Sequence, residues 1–119
     1  MKRILIIEDN AEQQRAFFLR LSRHFDLVQA FSIIEPGISN LLESKYDLIA
    51  IDGCVPGDNF NTGPLIARIR QSHDCPLVAI SSSHELRLKM RELGCTHECE
   101  KTELARQIVM ILGRPAMSA

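Results

Sequence analysis

The sequence predicts an α/β domain built as a doubly wound, five-stranded parallel sheet with helices on both faces. Short apolar runs alternate with stretches of helical period along the whole chain, giving five βα units in succession. Strict alternation of this kind makes a parallel sheet joined by right-handed crossovers. The apolar runs are also continuous rather than alternating in polarity, as in strands covered on both faces. A length of 119 residues suits one domain.

Ile4-Leu5-Ile6-Ile7 is the first strand, ended by Glu8-Asp9. Asn10 offers a helix N-cap, with Gln13 as its capping-box partner. Gln14, Phe17, Phe18, Leu21 and Phe25 follow at helical spacing as the inner face of the first helix. Leu27 to Phe31 reads as a second strand. Ser32 and Glu35 would cap a second helix reaching about Ser44, with Pro36 inside its first turn. Asp47 to Ile51 is a third strand ending at Asp52, and Gly53 to Gly63 is a loop by its glycines, proline and asparagines.

Pro64 fits the first turn of a helix running to about Gln71. Leu77 to Ile80 is the fourth strand and stops at Ser81. A helix carrying Leu86, Met90 and Leu93 follows, with Gly94 where a C-terminal cap belongs. His97 to Glu100 is a weak fifth strand. Leu104, Ile108, Ile111 and Leu112 mark the last helix, and Gly113 to Ala119 reads as a tail or the start of a linker.

Composition narrows the function classes. Lys plus Arg number 14 against 15 Asp plus Glu, a net charge of −1, so no electrostatic attraction to nucleic acid or to an anionic membrane is expected. Aromatic residues make up 5% and Trp is absent, which leaves little for base stacking. No apolar run approaches the roughly 18 residues of a membrane span. Glu8-Asp9 also cuts the first run too short for a signal peptide. Cys54, Cys75, Cys95 and Cys99 are expected to be reduced thiols in a cytoplasmic protein.

In doubly wound sheets chemistry sits at the carboxyl ends of the strands. There the first strand supplies Glu8 and Asp9, the third Asp52, the fourth Ser81, and the fifth is followed by Lys101. Singly, each has an ordinary role: a turn aspartate, an acidic helix start, a serine cap, a surface lysine. Together they gather three carboxylates, a hydroxyl and an ammonium on one rim. Close carboxylates repel, a hard divalent cation relieves them, and oxygen-only ligation favours Mg²⁺.

These residues resemble the response-regulator receiver domain of two-component signalling (the CheY-like family). The resemblance is carried by Ile4 to Asn10 (ILIIEDN), Tyr46 to Gly57 (YDLIAIDGCVPG), Pro76 to Ser82 (PLVAISS) and Gly94 to Lys101 (GCTHECEK). It spans Lys2 to about Leu112, so residues 1–119 form a single receiver domain with a core of about 2–112 and a short tail, 113–119. It implies a flavodoxin-like sheet of strand order 2-1-3-4-5. It also implies that Asp52 is a phosphoacceptor and that Glu8, Asp9, Asp52 and the main-chain carbonyl of Cys54 hold Mg²⁺. Ser81 would hydrogen-bond the phosphoryl group and Lys101 would pair with its oxygens. The implied partners are a histidine kinase or phosphotransfer protein and a downstream protein target. A homodimer through the fourth helix, fifth strand and fifth helix is also implied, and the protein would be a signalling domain rather than a turnover enzyme.

The sequence departs from the family pattern near the site. The loop from Asp58 to Gly63 is longer than usual and the segment from Ser81 to Gly94 shorter. Glu98 stands where a switch aromatic is usual, and Thr102 where a proline follows the lysine. A receiver-like interaction module that never uses phosphate is therefore the alternative expectation. A nucleotide-binding enzyme is disfavoured, because the first βα turn (Glu8-Asp9-Asn10-Ala11) has no glycine and no Walker loop is present. Cys95, His97 and Cys99 have a metal-like spacing, but alternation would line all three on one strand face with no fourth ligand, so packing is expected instead. Cys54 beside the aspartate loop is expected to be an ordinary thiol.

Overall fold

The computed structural model describes residues 1–56 and 59–113. The expected tail from residue 114 onward, and Asp58 of the long loop, lie outside the described residues. The elements are β1 (Arg3–Ile7), α1 (Ala11–Leu21), β2 (Asp26–Ala30), α2 (Gly37–Leu42), β3 (Leu48–Asp52), α3 (Gly63–Ser72), β4 (Leu77–Ile80), α4 (His84–Leu93), β5 (His97–Cys99) and α5 (Leu104–Leu112). A short 3₁₀ turn, Lys101–Glu103, leads into α5. The strands form one parallel sheet of order β2-β1-β3-β4-β5, as expected.

Period-two alternation sends strand side chains to opposite faces. Leu5, Ile7, Ile49, Ile51, Leu77 and Ala79 pack under α2, α3 and α4, against Ile38, Ile66, Ile69 and Met90. Ile4, Ile6, Leu48, Ala50, Val78 and Ile80 pack under α1 and α5, against Phe17, Leu21, Leu104 and Ile108. The continuous apolar strands are the consequence of both faces being covered. Among the described residues, no helix is long and apolar enough to cross a membrane.

Several expectations are corrected locally. Phe18 is half exposed, because the helical turn of α1 gives the sheet to Phe17 and Leu21 and carries Phe18 to the side. β2 is shifted one residue earlier, opening where Asp26 pairs with Arg3, and Phe31 lies beyond it, exposed. The helix expected from Ser32 to Ser44 is shorter, Gly37–Leu42, with Pro36 at its N-cap and no side-chain cap. A residue before proline avoids the helical region, so Glu35 cannot start the turn. Its carboxylate binds Ser39 and Arg68 instead, and Ser32 Oγ accepts from the Ile34 amide.

Other expectations are met. Asn10 caps α1 by accepting from the Gln13 amide at 2.9 Å. Gly94 ends α4 with φ of +137°, a conformation L side chains rarely adopt, and an added Cβ would stand 3.1 Å from Arg70 Cβ. Gly94→Ala is expected to cost about 1–2 kcal/mol of folding free energy, the usual penalty of positive φ, as a lower urea midpoint at unchanged slope.

Cys95 and Cys99 do not line one face as expected. Cys95 precedes β5, outside its alternation, and packs in the α3–α4 layer, while Cys99 packs in the α1–α5 layer. Burial pushes the Cys95 thiol up to about 12 and the Cys99 thiol up to about 11, so both are inert packing groups; with Cys75 they are free thiols.

Candidate functional site

Strand order reverses between β1 and β3, so the crevice at their carboxyl ends is where a doubly wound sheet binds ligands. Glu8 follows β1 directly, and its amide extends the ladder by donating to Ala30 O at 2.9 Å. Glu8 is fully buried. Its Oε1 accepts from the Asn10 amide at 3.0 Å, the bond that a capping box would have given to Gln13. Asp9, half-buried, rides the same turn.

Gln14, read from the sequence only as part of the inner face of α1, does more than fill space. Its buried side-chain amide lies 3.0 Å from Ile6 O, 3.1 Å from Glu8 O and 3.0 Å from Ala30 O. Its own Oε1 accepts from Gln29 Nε2 at 2.7 Å. The main chain carrying Glu8 is thereby pinned from α1.

Asp52 is the last residue of β3 and is 5% exposed. Its Oδ1 accepts from the Cys54 amide at 3.1 Å, which fixes the carboxylate's rotation. The loop behind it is stapled by two residues not anticipated from sequence. Thr62, fully buried, places Oγ1 2.9 Å from Asp52 O and 3.0 Å from Gly53 O. Asn61 closes a two-way contact with Val55, accepting from its amide at 2.8 Å and donating to its carbonyl at 2.7 Å. Thr62→Val keeps the shape but takes the hydroxyl donor from the Asp52 carbonyl and leaves Gly53 O only its bond from the Asn61 amide, so it is expected to cost about 1–3 kcal/mol in chemical denaturation.

Lys101 closes the site from beyond β5. Its Nζ stands 3.0 Å from Asp52 Oδ2 and 3.1 Å and 3.2 Å from the two Glu8 oxygens. It is therefore not a surface charge but the bridge between the two buried carboxylates. Burial alone would lower its ammonium pKa, and the hydrogen bonds and charges of Asp52 and Glu8 outweigh that and raise it. Ser81 is buried directly after β4, whose Ile80 pairs with Asp52. The Ser83 amide donates to Ser81 Oγ at 3.1 Å, leaving the hydroxyl proton to be donated elsewhere.

One lysine answers three carboxylates. Ligand oxygens of Glu8, Asp9 and Asp52 all lie within 4.8 Å of one another. Glu8 Oε2, buried, has no well-directed hydrogen bond despite its nearness to Lys101. Burial, then the neighbouring Asp52, pushes Glu8 up to about 8, against the Asn10 amide and Lys101, which lower it. An orphaned buried carboxylate oxygen beside two further carboxylates fits a hard divalent cation, and the all-oxygen donor set matches the magnesium and calcium class.

No family model matches the sequence, and no curated protein matches it. Its fold has matches among solved structures. A two-component response regulator from Clostridium difficile superposes with a TM-score of 0.78 at 21% identity, over 94% of this chain and 96% of that one. A response regulator receiver domain protein (CheY-like) from Methanospirillum hungatei gives 0.76 at 16% identity, over 94% and 90%. A response regulator from Burkholderia pseudomallei, solved with a phosphorylated aspartic acid, a calcium ion and citrate, gives 0.77 at 19% identity; the match spans 94% of this chain and 66% of that one. The chain has the receiver-domain fold. Within that receiver fold, Glu8, Asp9, Asp52 and Lys101 converge as the strand ends implied, and Ser81 stands beside them at the end of β4.

Proposed function

We propose that this receiver-fold protein is a phosphoacceptor in two-component phosphorelay signalling, with Asp52 as the accepting residue. The observation that carries the proposal is the convergence of three acidic ligand groups within 4.8 Å of one another, with Lys101 held 3.0 Å from Asp52. Glu8, Asp9, Asp52 and the Cys54 carbonyl would hold Mg²⁺. The ion would neutralise charge on the transferring phosphoryl oxygens.

The chain's own residues account for the remaining steps. Asp52 is a carboxylate nucleophile with its rotation fixed by the Cys54 amide. A phosphohistidine on a kinase or phosphotransfer protein is the donor: the P–N bond breaks, its electron pair returns to the imidazole, and an Asp52 oxygen bonds to phosphorus. The transition state is loose, so positioned charge does most of the work, and Lys101 supplies it at the carboxylate. The acyl phosphate carries about −1.5 to −2 charges where the carboxylate carried −1, and Ser81 meets the new oxygens by donating its hydroxyl proton. That shift alters the contact with a downstream protein. Slow self-hydrolysis resets the switch, so the protein is a signalling domain and not a turnover enzyme. The cytoplasm is the proposed compartment, where thiols such as Cys75 stay reduced.

Acetyl phosphate with Mg²⁺ tests the assignment. One phosphoryl group, labile to hydroxylamine and absent in Asp52→Ala, is the expected product. Unaltered labelling in that variant would refute Asp52 as the acceptor, and partner binding indifferent to Mg²⁺ and phosphate mimics would favour a phosphate-independent interaction module.

A further inference from the structure

Glu98 stands in the middle of β5, where the family resemblance would place an aromatic, and α4 turns two arginines and a histidine toward it. His84, Arg87 and Arg91 are spaced three and four residues apart, hence on one helical face. Arg87 Nε is 3.4 Å from Glu98 Oε1, His84 Nδ1 is 3.8 Å from Oε1, and Arg91 Nη1 is 3.9 Å from Oε2. Only one of these pairs is withdrawn from water. The Arg87 and Glu98 side chains are 13% and 19% exposed, against 69% for His84 and 48% for Arg91. Exposed pairs contribute little, so the Arg87–Glu98 pair is the one that positions anything.

The other arm of Arg87 leads to the aspartate pocket. Its Nη1 donates to the main-chain carbonyl of Ser81 at 2.6 Å. One planar guanidinium thus joins Ser81, just past β4, to Glu98 on β5 while belonging to α4. A fork of rigid donors suits that bridge and a lysine's single ammonium does not. A second contact seats the same helix on the aspartate loop: a Cβ on Gly53, next to Asp52, would stand 2.8 Å from Leu86 Cδ2 and 3.2 Å from Met90 Sδ.

We propose that Arg87, anchored by Glu98, is the positioning residue for Ser81, and that the Ser81–Arg87–Glu98 link carries the state of the aspartate pocket to the exposed α4–β5 face. The inference rests on the reading of Asp52 as phosphoacceptor. When Ser81 moves toward a group on Asp52, its carbonyl moves with it. Arg87 then follows and drags α4 along β5, or it releases Ser81 and leaves the helix free to shift. In both cases the charge pair does the work of an aromatic rotamer.

The test is hydrogen exchange of the α4 amides, residues 84–93, with and without Mg²⁺ and beryllofluoride. It compares wild type, Arg87→Met, Arg87→Lys and Glu98→Gln, with occupancy of the mimic followed separately by ¹⁹F NMR. In wild type, mimic binding is expected to change α4 exchange about five-fold, the low end of ordinary site-to-site coupling. Arg87→Met and Glu98→Gln should still bind the mimic while the α4 response falls below about two-fold, and Arg87→Lys should not restore it. A full response in both Arg87→Met and Glu98→Gln, or mimic binding to wild type with no response in α4, overturns the link and leaves the Asp52 assignment standing. Wild type that binds no mimic overturns both.

Discussion

Lys101→Met is expected to slow labelling of Asp52 by acetyl phosphate about 100-fold, as loss of one preorganised charge at a transferring group does. The same variant should bind Mg²⁺ at least as tightly as wild type. Lys101 Nζ stands within 3.0–3.2 Å of oxygens from Asp52 and Glu8, so it repels a divalent ion drawn to the same carboxylates. Loss of rate with retained metal affinity separates a transition-state role from a structural one. Stability falls as well, since the variant leaves two buried carboxylates without their cation. Breaking a fully buried pair costs about 3–5 kcal/mol, and Lys101 is partly solvated, so about 2 kcal/mol is the expected loss. Stopped-flow or gel-shift labelling, Mg²⁺ titration by calorimetry and urea unfolding give the three readouts. Equal losses in rate and metal affinity would refute the role given to Lys101.

The elements and the rim were legible in the sequence because both are set by patterns that survive translation into one dimension. Leu77–Ile80, Asn10 as a cap and Gly94 as a helix end are local signals of apolar run, side-chain oxygen and positive φ. Glu8, Asp9, Asp52 and Lys101 come together because a parallel sheet puts every strand's carboxyl end on one side. The supports of the site were not legible. Gln14 and Thr62 bind main-chain carbonyls of residues distant in sequence, and a carbonyl leaves no mark on residue identity. Arg87 had no signal either: its two acceptors lie just past β4 and on β5, six and eleven residues away. Phe17 and Phe18 are alike in composition, and only the rotation of α1 separates a buried ring from an exposed one. Lys101 was legible as a cation for a phosphoryl group, but its place between Asp52 and Glu8 is a property of packing.

Glu8→Gln should stabilise the metal-free protein and abolish its response to Mg²⁺. The Glu8 carboxyl is held up to about 8, above its ordinary value of 4.5, first by burial and then by Asp52. A raised acid binds its proton more tightly when folded than when unfolded. The folded state is therefore most favoured below pH 4.5, and this contribution is lost progressively as pH rises from 4.5 through 8. Glutamine keeps an oxygen to accept from Asn10 and removes the buried charge, giving up only the Lys101 contact at the Glu8 Oε2 position. Without metal, the variant should unfold well above wild type at pH 8, with the gap closing toward pH 5. Mg²⁺ should reverse the ranking: it displaces the Glu8 proton, so wild-type affinity rises with pH up to about 8 and each ion bound releases protons, whereas Glu8→Gln shows neither effect. Thermal melts with and without Mg²⁺ across that pH range, together with calorimetry in buffers of different ionisation heat, measure both. A wild-type protein whose metal-free stability is flat between pH 5 and 8 would show that Glu8 carries no such strain, and that the pocket is not built to exchange a proton for a cation.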